Sequence, residues 1–269
     1  MDDMKTLPIV ALMILLSACA TVVGSGRSQT MLVPLETEMS LGAQAWDEAL
    51  VEAKQITSGP DYEMVQRIGK RIAEAAPRLP GDNPANKFDW QFVLLDDPGT
   101  VNAWALPGGK SAVYSGLLQI TQDEDSLAMV IGHEVFHALG RHGAERMTQG
   151  LGFSMVMQLA GMAVADMPPQ EADTIMQALG MAGTYGGLMP FSRKHESEAD
   201  EWGLYLAADA GYDPRTVIGL WERMAAANSG PRPPEFFSTH PSETTRIQRL
   251  QEAMPRALEI WRAAQSQGR

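Results

Sequence analysis

Near the middle of the chain, His133-Glu134-Val135-Phe136-His137 places two histidines four residues apart within a stretch of helical periodicity. On a helix such residues differ in direction by only about 40°, so both imidazoles can face one ion. Zinc takes neutral imidazole nitrogen, prefers four tetrahedral partners, and leaves one position for water in a catalytic site. Glu134 lies near the same face, where a carboxylate can take the proton as water attacks a carbonyl. Alone, His-Glu-x-x-His is also compatible with two histidines on a helix surface. A third protein ligand has to be found.

Two candidates compete for that place. An extended motif would put a third histidine six residues after His137, but that position is Gly143 and His142 falls one short. On a continuing helix His142 lies about 140° from His137, off the metal face, which reads it as structural or exposed. The second candidate is His195-Glu196-Ser197-Glu198-Ala199-Asp200. Glu196 and Asp200 share a helical face, while Glu198 points roughly 200° away from Glu196. Glu196 can bind zinc while Asp200 holds the free ring N–H of a ligating histidine. By itself the segment would be a solvated charge cluster; paired with the first motif it completes a His/His/Glu site.

Four blocks then resemble, in order, a known family: Asn102-Ala103-Trp104-Ala105-Leu106-Pro107-Gly108-Gly109, the His133 motif, Glu196-Ser197-Glu198-Ala199-Asp200, and His240-Pro241-Ser242. They are similar to the gluzincin-type zinc peptidases, which include BepA, HtpX and the CAAX prenyl endopeptidase, from about Glu36 to Leu250. The resemblance implies one zinc ion per chain, with Glu196 rather than Glu198 or His195 as third ligand and Asp200 as its supporting partner. It implies a zinc metalloendopeptidase that removes misfolded or unfolded envelope proteins. The alternative is a latent or non-catalytic chaperone-like lipoprotein retaining the fold, against which the intact Glu134 argues. His240 and Arg246, taken alone, would be a helix-entry histidine and a surface arginine. By resemblance His240 approaches the metal, capping zinc at rest or stabilising an oxyanion, and Arg246 lies near the cleft.

The elements that must position these groups are mostly helices. Helical stretches are expected from about Glu36 to Gln55, from Asp61 to Ala76, and from Ser126 onward, with interruptions at Pro168-Pro169, Pro190 and Ser229 to Pro234. Trp90 to Leu95 reads as a strand, and Val101 to Leu106 with Ser111 to Tyr114 as a hairpin closed by Pro107-Gly108-Gly109. The class is α+β: a mainly helical zincin-like domain over residues 36–269 with a small sheet or hairpin beside the active-site helix. The strand holding Asn102, Ala103, Trp104 and Ala105 is expected to supply a substrate track, since an extended peptide can pair with a free strand edge. Gly150 to Pro190, rich in Met, Ala, Gly and Leu, reads as a buried helical hairpin; the competing reading is a flap touching membrane or substrate.

The remaining features bear on location. Lys5, the short apolar run Ile9 to Leu16, and Leu16-Ser17-Ala18-Cys19 form an export signal ending in a lipobox, with the chain's one cysteine at the acylation position. Residues 1–18 are thus expected to be a lipoprotein signal peptide, and residues 19–35 a lipidated Cys19 with its tether. That implies a bacterial periplasmic protein, lipid-anchored in the membrane; Ala20 after the cysteine favours the outer one. The net charge of −12 argues against nucleic acid or an anionic membrane surface as partner. A lone cysteine excludes an intrachain disulfide or a Cys-based zinc site.

Overall fold

The structure, a computed structural model, describes residues 19–165, 167–186, 192–229, 234–240 and 245–269. The signal at residues 1–18, Pro190, and Pro241-Ser242 of the fourth block lie outside them. A two-stranded hairpin, β1 (Cys19–Thr21) and β2 (Ser28–Thr30), leads into helix α1 (Leu35–Leu50). The two-residue β3 (Gln55–Ile56), helix α2 (Pro60–Ala75) and strands β4 (Gln91–Leu95), β5 (Ala103–Leu106) and β6 (Lys110–Tyr114) follow. Then come α3 (Leu118–Thr121), α4 (Glu124–Leu139), α5 (His142–Ala163), α6 (Pro169–Gly186) and α7 (Arg193–Asp209). Helices α8 (Thr216–Asn228), α9 (Phe236–Thr239) and α10 (Arg246–Ser266) complete the chain.

The expected α+β class holds: helices dominate around one four-stranded sheet of order β3-β4-β6-β5. β4 and β6 are parallel, and β5 returns antiparallel to β6 through the glycine turn, so β5 forms an edge. Helix α1 stops at Leu50, short of the expected Gln55, because Gln55 and Ile56 pair instead with Leu95 and Leu94 of β4.

Helix α4 sits at the centre. The Asp123 side chain accepts from the Ser126 backbone N–H at 2.7 Å, and Glu124 and Asp125 face the positive end of the helix dipole. Every residue from Ser126 to Leu139 is buried, so the helix has no solvent stripe and is packed on all sides. Against it stand α7, β5 and α2, the last through Val65, Ile68 and Ile72. A helix so enclosed gives its polar side chains a rigid, dry setting.

Two expectations fail here. Residues 19–30 are no loose tether: Val22 and Val23 enter the main core. Gly24 turns the hairpin at φ +79°, and its missing Cβ leaves room for the Trp202 ring, which a side chain there would meet at 2.4 Å. The Met-rich segment is a helical hairpin, but not a buried one. Met155 and Met162 of α5 are 65% and 75% exposed, and Leu151, Val156 and Leu159 are also in solvent. The reason is geometric: among the described residues α5 meets α4 and β2, and its principal helical neighbour is α6, which leaves these side chains uncovered. No helix among the described residues is long and apolar enough to cross a membrane.

Candidate metal centre

His133 and His137 project from the same side of α4, their Nε2 atoms 3.2 Å apart. The third group comes from α7, which crosses α4 with almost nothing between them. A Cβ on Gly132 would lie 2.6 Å from the Gly203 carbonyl oxygen, and one on Gly203 would lie 2.7 Å from the His133 backbone. The two glycines let the backbones touch, which brings Glu196 to 3.4 Å from His137 Nε2 and 3.7 Å from His133 Nε2. Ser192 caps α7, its side chain accepting from the His195 N–H at 3.3 Å. Nothing in the periodicity of either helix announced this crossing; glycine beside the motif at 132 and shortly after Asp200 at 203 was its signal.

Asp200 Oδ1 lies 3.1 Å from His133 Nδ1, on the ring side away from Glu196. Arg246 is not a surface residue. It is buried, donating from Nε to Asp200 at 2.7 Å and from an Nη to Glu196 at 2.6 Å, with its guanidinium 4.1 Å above the Trp221 ring. It holds both carboxylates and balances their charge. Burial works to raise the Glu196 carboxyl, but bonds to His137 and His240 outweigh it and hold the group far below the ordinary range.

His240 follows α9, stacked on Phe236 at 4.4 Å. Its Nδ1 approaches Glu196 Oε1 at 2.9 Å and His133 Nε2 at 3.3 Å, while its Nε2 stands 3.4 Å from Glu134 Oε1. Burial pushes the Glu134 carboxyl up, with the charges of His240 and His133 opposing. One ring nitrogen of His240 thus faces Glu196 and His133, and the other faces Glu134.

Behind His137 lies a polar cluster that the helical projection missed. Helix α4 does not continue: it stops at Gly140, and Arg141 takes a left-handed conformation (φ 56°), secured by Glu38 at 2.7 Å and the Val33 carbonyl at 2.8 Å. That turn swings His142 back under the helix, wholly buried, with Nδ1 3.0 Å from His137 Nδ1. The estimate of 140° assumed a helix that ends before His142. Burial holds the His142 ring near a pKa of about 4, hence neutral at neutral pH. Around it stand Glu198, His195, Glu145 and Arg27. For Glu145 and Glu198 burial acts to raise the carboxyl, but their partners (His195 and Arg27 for the first, His142, Arg27 and Ser25 for the second) bring each to about 2.

The expected substrate residues lie on and just before β5. β5 packs on α4 and is the sheet's edge. The Tyr114 N–H donates to the Asn102 carbonyl at 3.1 Å, and by antiparallel alternation the backbone groups of Ala103 and Ala105 face away from β6. The Asn102 side chain accepts from the Ala103 N–H at 2.9 Å. Trp104 is half-buried and packs edge-on against Trp46.

Whether zinc suits the centre can be judged from the donors. His133, His137, Glu196 and His240 each bring one ligand atom within 4.8 Å of all the others, and all four are buried. Bonds of 2.0–2.1 Å from one ion to tetrahedral partners place neighbouring donors about 3.3 Å apart. The spacings of 2.9, 3.2, 3.3, 3.4 and 3.7 Å scatter around that value. Imidazole nitrogens and a carboxylate converging in a dry core are the donor types that zinc takes. The residues fit zinc.

A buried helix carrying such a centre, met by an acidic helix and edged by a short sheet, defines a zincin-like metallopeptidase domain. The sequence matches the profile of peptidase family M48 over residues 61–254, and the chain belongs to that family. It is similar to the mitochondrial metalloendopeptidase OMA1 of Schizosaccharomyces pombe, 35% identical over 87% of this chain and 66% of the relative. Human OMA1 is 31% identical over 88% of this chain and 46% of its own length. The beta-barrel assembly-enhancing protease of Escherichia coli is 26% identical over 82% and 45%. The chain thus spans about half to two thirds of the length of these relatives.

Proposed function

We propose that the protein is a zinc-dependent endopeptidase of the bacterial cell envelope that hydrolyses unfolded or misfolded envelope polypeptides. In this reading residues 1–18 direct export and Cys19 carries the lipid anchor, in the periplasm and on the outer membrane. The observation that carries the enzymatic part is the convergence of His133, His137 and Glu196 ligand atoms in a buried centre, with the buried Glu134 on the same helix as the two histidines. Zinc, when bound, would supply a Lewis acid that lowers the pKa of water and polarises the scissile carbonyl. Glu134, kept dry by α4, takes the proton of the attacking water and returns it to the leaving amine. Asp200 and Arg246 fix the ring of His133 and the carboxylate of Glu196. The edge of β5 receives the substrate backbone as an added strand, which predicts broad side-chain preference; one strict cleavage motif across many substrates would count against it.

A second reading is supported by His240, whose Nδ1 lies 2.9 Å from Glu196 and 3.3 Å from His133 Nε2 and would compete with water for a place on a bound ion. It makes the resting enzyme latent, or the protein a chaperone-like binder. The test is cleavage of an unfolded protein by the chain freed of residues 1–18 with stoichiometric zinc, beside Glu134→Gln prepared identically. Cleavage by the parent alone, about 10²–10⁴-fold above the variant, is expected. Equal inactivity of both would sink the freely active peptidase and leave latency or binding.

A further inference from the structure

A histidine that binds metal through Nε2 carries its proton on Nδ1 and needs an acceptor there to fix its ring. For His133 the group at Nδ1 is the Asp200 carboxylate. For His137 it is a second imidazole, His142, Nδ1 to Nδ1 at 3.0 Å. A neutral imidazole accepts at one ring nitrogen only when the other bears the hydrogen. That assigns the His142 proton to Nε2, which lies 3.3 Å from Glu198 Oε2. Glu198 accepts from Ser25 Oγ at 2.8 Å and from Arg27 Nε at 2.8 and 3.0 Å. The other two nitrogens of Arg27 grip Glu145 at 2.9 and 2.7 Å, and Glu145 pairs with His195 Nε2 at 3.0 Å. The His195 ring stacks on His142 at 4.5 Å.

We infer that His142 is the positioning residue for the metal ligand His137, and that Arg27 of the N-terminal hairpin closes the relay from Glu198 through His142 to the metal site. The inference rests on the His133/His137/Glu196 zinc reading and extends it to the hairpin that begins at Cys19. The usual carboxylate–histidine–metal arrangement is lengthened here by one imidazole, and its carboxylate belongs to the pair that Arg27 clamps. Without the guanidinium, Glu198 loses two of its bonds and the Glu145 and Glu198 carboxylates face each other unbalanced. The segment following Cys19 thereby becomes part of the metal site.

Two near-isosteric substitutions separate this role from packing. Asparagine can place its side-chain oxygen where His142 Nδ1 stands; glutamine reaches the Nε2 position and leaves the His137 Nδ1–H without its acceptor. Zinc affinity of the full chain would be measured by competition with a chelator, together with the Tm of the metal-free forms and the visible spectrum after cobalt replacement. His142→Asn is expected to bind zinc within about threefold of the parent, and His142→Gln about 10–100-fold more weakly with a changed cobalt spectrum. Arg27→Gln should weaken zinc binding and Arg27→Lys recover part of it. Equal zinc affinity for the Asn and Gln variants, or affinities that merely follow metal-free Tm across all four, would overturn the relay. A parent that binds no zinc would instead overturn the metal-site reading beneath it.

Discussion

His240 presents the sharpest choice at the scale of single residues. Its Nδ1 lies beside Glu196 and His133 and its Nε2 lies 3.4 Å from Glu134, so one ring faces both the proposed ligands and the proposed base. In the proposed site its removal would leave the two imidazoles of α4 and Glu196 to hold the ion and would free a place for water. His240→Ala is therefore expected to raise peptidase turnover several-fold while zinc affinity falls by roughly tenfold, the scale of one lost ligand-shell interaction. Turnover measured on an unfolded substrate, with bound zinc determined in the same samples, decides it. A fall in turnover at full zinc occupancy would instead assign His240 to oxyanion stabilisation. Arg246 belongs to a different class, because its contacts are Glu196, Asp200 and Trp221. In the proposed site it would position ligands.

Among the elements, the crossing of α4 and α7 controls the centre. Glycine at 132 and 203 permits backbone contact, and the Glu196 carboxylate reaches the histidines only because the helices are that close. A methyl group at 203 meets the His133 backbone, which cannot rotate away as a side chain could. Gly203→Ala is expected to cost about 1–3 kcal/mol of stability, as overpacking does, and to weaken zinc binding as α7 is displaced. Denaturant midpoints and chelator competition report the two effects. A variant with the parent's stability and zinc affinity would show that the crossing has slack.

At the scale of the whole molecule, the hairpin that follows Cys19 meets carboxylates from two distant helices. Glu145 of α5 and Glu198 of α7 meet at Arg27, and both carboxyls sit at about 2 rather than the ordinary 4.5. Between those values the unfolded chain binds more protons than the folded one, so stability rises with pH across that window. The contribution is present in full above about 4.5 and is lost as pH falls toward 2. The parent's Tm should thus drop more steeply over that range than that of a Glu145→Gln/Glu198→Gln double variant; parallel slopes would refute the coupling. Location is tested on the same scale. Cys19→Ser should release the protein from membranes, and a variant that still sediments would make the exposed Leu151–Met162 face of α5 the better anchor.

Much of the centre was legible in residue types and spacing. His133 with His137, and Glu196 with Asp200, lie four apart, and a helix turns that interval into a shared face whatever surrounds it. The glycine turn and the alternation on either side foretold β5 and β6 in the same local way. Three things were not local. The Gly132–Gly203 contact depends on two helices far apart in sequence. The burial of Arg246 and the exposure of α5 depend on which neighbours the fold supplies. The place of His142 depends on one left-handed residue, Arg141, which ends α4 and reverses the chain. The hairpin after Cys19 likewise looked like polar linker, because Val22, Val23 and Arg27 acquire their meaning only from the core and carboxylates they meet. Spacing along each helix by itself put His133 with His137 and Glu196 with Asp200 on shared faces, while the choice of Glu196 as third ligand came from the family resemblance; the tertiary structure decided what stands behind them, since a buried charge is tolerated only where distant partners converge to satisfy it.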